Sequence, residues 1–272
     1  MIERIICLAF LVLLSSAQFT RAKSPQETET HRLTEVGKGI YLAQTTARLF
    51  NSNALVVIND EDVLVVDSHI TPTKGRELIS SISSLTSKPV TTLINSHFHF
   101  DHSHGNQAFT DERSPYSTGL EIIGHEFTRQ MMSDFPLEQG TFKRGLSGTE
   151  GAVERLGGQL KNSKDSSQRE KIQSQYDLMR SHLSEWDEIA PVAPTLSFSD
   201  RMTLFRGSRE IQIHFFGRAH TGGDVVVYFP EDKLAFTGDM MLAGPSWLGD
   251  GYVDEFPATL ENLKSLDIKK IV

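Results

Sequence analysis

Residues 96–102 read Ser96-His97-Phe98-His99-Phe100-Asp101-His102 and directly follow the apolar run Val90–Ile94. Four side chains that can bind a metal therefore lie within six residues, at the end of a predicted strand. Imidazole nitrogens and carboxylate oxygens are the ligands that hydrolytic zinc sites use. Core packing does not require this spacing of histidines, so the motif predicts a metallohydrolase.

Two later segments offer further metal ligands, each directly after a predicted strand. His220 lies in a glycine-containing loop, and Asp239 follows Gly238. Because glycine permits tight backbone turns, both side chains can approach an ion closely. We therefore expect both to converge on the histidine-rich motif.

The composition indicates an ordinary globular protein. The 272 residues suffice for one large domain or two small ones with a substantial core. The formal net charge of -8 gives no basic surface for nucleic acid, and we expect no nucleic-acid partner. A small-molecule substrate is the partner we expect, and the oligomeric state stays open.

The first residues predict a bacterial export signal. An apolar stretch at 5–14 follows Arg4, and small residues around Ala17 and Ala22 offer cleavage sites. The stretch is shorter than the roughly 20 residues that a membrane span needs. We predict a signal peptide at 1–22, a flexible leader at 23–35, and a periplasmic or secreted protein without an integral membrane segment. The alternative is an uncleaved amphipathic anchor.

Cleavage would also remove Cys7, which is the single cysteine of the chain. The mature protein would then contain neither disulfides nor cysteine metal ligands.

Hydrophobic patterning predicts alternating strands and helices. A hairpin with strands at 54–58 and 63–67 precedes a helix that begins at Thr71-Pro72. Further strands are predicted at 39–43, 90–94, 121–124, 211–216, 224–229 and 234–237, and helices at 125–135 and around 260–266. This order predicts a layered α/β sandwich rather than a doubly wound sheet.

Residues 140–188 differ in character from the rest of the chain. They are polar, and their apolar residues recur at helical spacing: Ile172, Tyr176, Met179, Leu183 and Trp186. We predict an α-helical insertion that covers one side of the site. The alternative is a packed helix with no role in substrate choice.

With these motifs, the sequence resembles the metallo-β-lactamase-fold superfamily from about Val36 to Val272. The likeness rests on Asp67, on the motif at 97–102, on His220 and on Gly238-Asp239. It implies an α/β fold, a four-layer αββα sandwich with the metals in a cleft at one edge of its two sheets. The domain would span 36–272, with the helical insertion at about 140–188.

The resemblance also implies the roles of the ligands. His97, His99 and His220 would bind a first Zn²⁺, Asp101 and His102 would bind a second, and Asp239 would bridge the two. Asp101 would in addition orient the attacking water, as the catalytic residue. Two zinc ions lower the pKa of a shared water, so that hydroxide can attack an acyl carbonyl at neutral pH.

The sequence departs from the best-known β-lactamase class at two positions. Asp239 stands where that class has cysteine, and His102 where it has arginine. The set is more similar to that of glyoxalase-II-type thioesterases and lactonases, although their glutathione-binding signature does not follow Asp239. His99 in place of a glutamate speaks against a di-iron oxidase.

The family's last histidine ligand would follow Val272. We therefore expect a truncated C-terminus and a second metal site that is incomplete within these residues.

We expect a zinc-dependent hydrolase whose metal-bound hydroxide opens a lactone, a thioester or a β-lactam. One alternative is a phosphodiesterase or sulfatase of the same fold, for which Arg218 is the one obvious cation near the motifs. The other is a non-catalytic, metal-dependent binding or carrier protein.

Several residues near the motifs receive weaker predictions. We expect Asp67 to hold a turn or a ligand histidine, and Asp224 to fix the loop of His220. Histidines outside the ligand set are interpreted as structural or loop residues, among them His69 and His104. An apolar substrate pocket would draw on Trp247, Phe50 and Met241.

Overall fold

The computed structural model describes residues 26–28, 30–46, 52–134 and 140–272. The predicted signal peptide and Phe50 lie outside these residues. In the described part of the chain, 13 strands form two sheets.

The first sheet has eight strands, which lie side by side in chain order. They are β1 (Gln26–Glu27), β2 (His31–Gly37), β3 (Ile40–Thr45), β4 (Asn53–Ile58), β5 (Val63–Val66), β6 (Val90–Ile94), β7 (Glu121–His125) and β8 (Leu196–Phe198). Strands β1 to β5 pair antiparallel, whereas β5 to β8 pair parallel. The predicted hairpin is β4–β5, in which Leu55 lies opposite Val66.

The second sheet has five strands in the order β13-β12-β11-β10-β9. They are β9 (Arg201–Arg206), β10 (Arg209–His214), β11 (Val226–Phe229), β12 (Leu234–Phe236) and β13 (Lys270–Ile271). The pairs from β9 to β12 are antiparallel, and β13 adds to β12 in parallel.

The described residues also form seven α-helices. They are α1 (Pro72–Leu85), α2 (Phe100–Ser103), α3 (Asn106–Thr110), α4 (Glu126–Asp134), α5 (Gly140–Asn162), α6 (Ser166–Glu185) and α7 (Phe256–Leu263). The side chain of Thr71 caps α1 by accepting a hydrogen bond from the Lys74 amide at 3.2 Å, as the Thr-Pro signal predicts. Among the described residues, no helix is long and apolar enough to cross a membrane.

The core lies in three apolar layers. The central one is between the two sheets and includes Leu55, Ile94 and Phe229. A second layer joins the first sheet to α1 and α3, with Val56, Leu78 and Phe109. A third joins the second sheet to α7, where Leu263 packs on Tyr228 and its neighbours.

Strand alternation explains these layers. Because successive side chains of a strand point to opposite faces, Leu55 and Val57 of β4 face the second sheet, while Val56 faces α1. Both faces of the strand are buried, so its sequence is a continuous apolar run. The architecture is the predicted four-layer αββα sandwich.

The structure differs from the predicted leader at 23–35. Strand β2 begins at His31, where the side chain is fully buried, and Leu33 belongs to the core. The strand pairs with β3 along most of its length. Hydrophobic patterning did not predict this strand, because its first residue is polar. The His31 side chain is buried with a hydrogen bond to His69 rather than by apolar packing.

Residues 140–188 form the predicted helical insertion. Helices α5 and α6 pack on each other through Leu156, Leu160, Ile172 and Met179. Trp186, at the end of the apolar stripe, is also buried and packs near Phe100 of α2. The insertion therefore contacts the segment that carries the histidine motif.

Candidate metal centre

The predicted ligands meet at one edge of the two sheets. The motif 97–102 follows β6, His220 lies between β10 and β11, and Asp239 follows β12. Loops that follow strands of both sheets thus bring residues from distant parts of the sequence to one place. All six predicted ligands lie here.

Three histidines form the first group. One ring nitrogen from each of His97, His99 and His220 lies within 4.8 Å of the others. His220 Nε2 is 2.9 Å from His99 Nδ1, and all three side chains are buried. Three imidazoles that face one point make the donor set of a zinc site with one open position.

The second group adds carboxylates. His97, His102 and Asp239 again bring ligand atoms within 4.8 Å of one another. Asp239 places Oδ1 3.3 Å from His102 Nε2 and Oδ2 3.6 Å from His220 Nε2. Its two oxygens thus face the two groups, which is what a bridging carboxylate requires. Asp101 Oδ2 lies 3.5 Å from His102 Nε2.

The outer nitrogen of each histidine is held by a polar partner. His97 Nδ1 is 3.0 Å from Ser96 Oγ, and His220 Nδ1 is 2.9 Å from Ser246 Oγ. The outer nitrogen of the third member, His99 Nε2, is 3.2 Å from Asp250 Oδ2. Such partners fix the ring orientation and the tautomer of a metal ligand.

His102 is held in the same way. Its Nδ1 lies 2.7 Å from Asp67 Oδ2, and Asp67 also accepts hydrogen bonds from the amide and the hydroxyl of Ser96. Asp67 is completely buried. Of the two roles predicted for Asp67, the structure shows the hydrogen bond to a ligand histidine.

Two inner nitrogens test whether a metal fits. His97 Nε2 and His102 Nε2 are buried and have no hydrogen-bond partner among the described residues. A buried polar atom without a partner costs about 1–3 kcal/mol, so native structures rarely leave one unsatisfied. Metal ions bound by these nitrogens would satisfy both, and the residues therefore fit a metal centre.

Electrostatics also favour metal ligation. Burial lowers the pKa of His97 well below its usual value and that of His220 to about 4, with the neighbouring His99 adding to the effect on His220. Burial would raise the pKa of Asp239, but His102 and His220 outweigh it and bring this pKa to about 2. At neutral pH, His97 and His220 are thus neutral donors and Asp239 an anion.

His102 behaves differently without a cation. Burial would lower its pKa, but the carboxylates of Asp101, Asp67 and Asp239 hold it well above the usual value. A bound cation would replace the proton as the partner of these carboxylates. Metal binding at this group would therefore release a proton.

Backbone geometry at the site is unusual at Asp67 and Gly238. Asp67 has a φ of 61°, a left-handed conformation that non-glycine residues seldom adopt. Gly238 has a φ of 51°, and a Cβ there would lie 2.7 Å from Ser96 Oγ. Strained or crowded backbone of this kind persists where surrounding contacts enforce it, and it clusters at functional sites.

A cavity of about 420 Å³ opens over the ligands. Its walls are His99, Phe100, Asp101, Arg144, Gly145, Gly148, His220, Asp239 and Trp247. Trp247 thus lines the cavity as predicted. Helix α5 supplies part of the wall, so the insertion does cover one side of the site.

Other predicted residues lie away from the ligands. Arg218 pairs with Glu255 and stacks on Tyr252, at a separate surface cavity. His69 contacts Ser52 and His31. His104 is buried near Trp186.

Two further residues have local roles. Asp224 accepts hydrogen bonds from the amide and hydroxyl of Thr221, and it therefore fixes the loop of His220, as predicted. Met241 is exposed, and it is not among the residues that line the cavity.

Sequence reasoning missed three residues of the site. Asp250 and Ser246 hold ligand histidines, and Arg144 is the cation at the cavity. Asp250 lies 151 residues from His99 in the sequence, within a loop without periodic pattern. Its position between Gly249 and Gly251 indicates a turn and nothing more specific.

Comparisons with known proteins identify the family and the fold of the chain. A family model described as the metallo-beta-lactamase superfamily matches residues 47–272. A type 2 metallo-beta-lactamase from Elizabethkingia meningoseptica is 31% identical over 72 residues, which are 25% of this chain. The match spans 29% of that protein's length.

Solved structures show the same fold. A metallo-beta-lactamase from Pontibacter korlensis has a TM-score of 0.59 at 17% identity, covering 86% of this chain and 85% of that one. DIM-1 metallo-beta-lactamase gives 0.56 at 17% identity, covering 88% and 85%. Metallo-beta-lactamase IND-7 gives 0.61 at 14% identity, covering 90% of each chain. At these identities the likeness concerns the fold alone.

Proposed function

The chain belongs to the metallo-β-lactamase superfamily, and from this premise we propose that it is a zinc-dependent hydrolase that cleaves an acyl bond. The observation that carries the proposal is the convergence of five ligand side chains, His97, His99, His102, His220 and Asp239, with Asp101 3.5 Å from His102 Nε2. Within the described residues, His97 Nε2 and His102 Nε2 are buried and lack hydrogen-bond partners. The family match supports a metal-dependent hydrolase, and the donor set supports zinc.

The ligand residues would have different roles. His97, His99 and His220 would hold one zinc ion, Asp101 and His102 a second, and Asp239 would contact both. When bound, the two ions would polarise the substrate carbonyl and supply hydroxide at neutral pH. Asp101, which lines the cavity, would accept a hydrogen bond from the attacking water and so orient it.

Lactones and thioesters are the substrates we favour, with β-lactams third. The support is Asp239, a carboxylate at the position where the best-known β-lactamase class has cysteine. The two alternatives, a phosphodiesterase or sulfatase and a non-catalytic carrier, receive no support from the comparisons.

We infer in addition that the protein is exported. The support is the apolar stretch at 5–14 with small residues after it. Mass spectrometry of the protein from a bacterial periplasmic extract would show a chain that begins near Lys23. An intact N-terminus in the cytosolic fraction would contradict export.

Asp101→Asn tests the proposed chemistry. The variant keeps the size of the side chain but removes a carboxylate, so we expect kcat/KM on a thioester or lactone to fall by about 100-fold or more. The thermal transition should change little, because the Asp101 side chain is partly exposed. Asp111→Asn, at a surface carboxylate paired with Arg113, is the matched control. Unchanged activity in Asp101→Asn would exclude this role.

A further inference from the structure

Helix α5 presents one face to the cavity above the ligands. Arg144, Gly145 and Gly148 line this cavity, and their spacing of three and four places them on one side of the helix. The face combines a cation with two residues that have no side chain. This is an unusual surface for the wall of a pocket, since glycine is less favourable than alanine within a helix.

Arg144 is fixed at the mouth of the cavity. Its Nη2 donates to both carboxylate oxygens of Asp250, at 2.6 and 2.5 Å. The guanidinium carbon lies 5.3 Å from the ring centre of Trp247. Asp250 in turn contacts His99. The cation is therefore held in place before any ligand arrives, which reduces the entropy cost of binding.

Donors of Arg144 remain for a ligand. Its side chain is 50% exposed, and Nε and Nη1 have no hydrogen-bond partner among the described residues. A guanidinium offers five N–H groups in a planar fork that matches a carboxylate. Arg144 can thus bind an anion while it stays paired with Asp250.

Gly148 leaves room beside this cation. A Cβ at Gly148 would meet no atom within 4 Å, so the space next to the helix is open. The aromatic rings of Phe100 and Trp247 line the same cavity. An apolar or planar group would lose water contact against both rings.

We propose that α5 selects the substrate: Arg144 binds a carboxylate of the acyl substrate, and Gly148 makes room for an apolar group between Phe100 and Trp247. The substrate class is an acyl compound that carries a carboxylate and an apolar group. The proposal rests on the function proposed above, since it concerns the same cavity.

Two thioesters test the role of Arg144. The thiophenyl ester of succinic acid has a free carboxylate, whereas that of succinamic acid has a carboxamide in its place. We expect Arg144→Ala to lose at least about tenfold more kcat/KM on the acid than on the amide, because only the acid offers the guanidinium a charged hydrogen-bond acceptor. Arg144→Lys should restore part of the preference.

Controls separate this role from a structural one. Arg155→Ala, at an exposed position of the same helix, should keep the preference of the wild type. Zinc content is measured for every variant, because Arg144 also contacts the partner of His99. Equal losses of Arg144→Ala on both esters would overturn the proposal.

A binding measurement keeps the proposal separate from the hydrolytic function. If the zinc-loaded wild type hydrolyses neither ester, the thioester activity fails, and phenylsuccinate then serves as a calorimetric probe. Binding that Arg144→Ala weakens at least tenfold would support the recognition site. Absence of binding to the wild type, or equal binding to both proteins, would overturn it.

Gly148→Leu tests the proposed room for an apolar group of the substrate. The side chain would fill open space in the cavity, and leucine favours the helix, so the variant should fold. We expect the preference for phenylsuccinyl over succinyl thioesters to fall at least about tenfold. Gly151→Leu is the matched control, because Gly151 also has open space but does not line the cavity. The same change in both variants would overturn this part.

Discussion

At the scale of single residues, the site depends on pairs in which one side chain orients another. His97, His99, His102 and His220 each direct one nitrogen inward and hold the other by Ser96, Asp250, Asp67 and Ser246, respectively. Losing such a partner typically costs 10–100-fold in metal affinity, because the ring is then free to rotate. The hydrogen-bond partners of the histidines therefore matter for metal affinity as well as the ligands themselves.

Asp250→Asn tests directly whether such a partner supports metal binding. The amide keeps the shape but no longer favours a proton on His99 Nε2, so we expect zinc affinity to fall about tenfold. Competition with a chromophoric chelator measures the affinity. Asp254→Asn, an exposed carboxylate of the same loop, serves as the control. Equal affinity in wild type and Asp250→Asn would show that this contact does not support the metal.

The sequence allowed the six ligands to be predicted because they stand in compact motifs after strands. The contact of Asp67 with His102 was one of two roles considered for it. The sequence did not predict Arg144, Ser246 and Asp250, since each acts through a tertiary contact that only the assembled fold creates. The local sequence pattern around a residue does not indicate such contacts.

At the scale of elements, the insertion is a helical pair with its own apolar seam. Leu156 and Leu160 of α5 meet Ile172 and Met179 of α6, separately from the three layers of the sandwich. The stripe in α6 has the helical period and was predictable. The polar character of α5, with its many glycines, made its face towards the cavity unpredictable.

Met179→Ala tests whether the helical pair α5 and α6 can unfold locally while the sandwich stays folded. Truncating a buried methionine costs about 2 kcal/mol or more, which increases an open form roughly thirtyfold. We expect faster proteolysis within 140–185 and a nearly unchanged main thermal transition. Gln175→Ala, at an exposed position of α6, should not change the cleavage rate. A parallel loss of the main transition would show that insertion and sandwich unfold together.

Strand β2 shows why part of the first sheet was missed. Its residues read His-Arg-Leu-Thr-Glu-Val-Gly, without a clear apolar alternation. His31 is buried because its Nε2 contacts His69 Nε2 at 3.1 Å and its Nδ1 contacts Ser81 Oγ at 3.1 Å. Hydrogen bonds replace apolar packing here, and hydrophobic patterning does not detect them.

At the scale of the whole molecule, these contacts link distant parts of the fold. The chain of hydrogen bonds from Ser52 through His69 and His31 to Ser81 joins the loop after β5 to β2 and α1. Burial, with Lys74 adding to it, lowers the pKa of His31 to about 4, from 6.5. His69 has a lowered pKa as well, since it is also buried and faces His31.

Stability should therefore depend on acidity through His31. Between pH 6.5 and 4 the unfolded chain binds a proton at this residue that the folded chain does not, so the free energy of unfolding falls as the pH falls. From pH 8 to pH 5 we expect a loss of about 2 kcal/mol from His31. His31→Gln lacks this loss, so its stability relative to the wild type should improve on acidification. Urea unfolding at both pH values measures the difference, and a constant difference would contradict it.

The layered architecture was predictable because it depends on apolar periodicity, which the strands and α1 display clearly. The cavity was not, because it is formed where the insertion, the loop at 241–250 and the motif at 97–102 meet. Its recognition chemistry therefore required the assembled fold.

Zinc content is the measurement to make first. Protein that begins at Lys23 is loaded with zinc, freed of unbound metal and analysed for zinc per chain by elemental analysis. We expect two zinc ions per chain, because two ligand groups lie side by side and Asp239 directs one oxygen towards each of them. A single ion would contradict the bridging role of Asp239, and a chain that retains none would contradict a metal-dependent hydrolase.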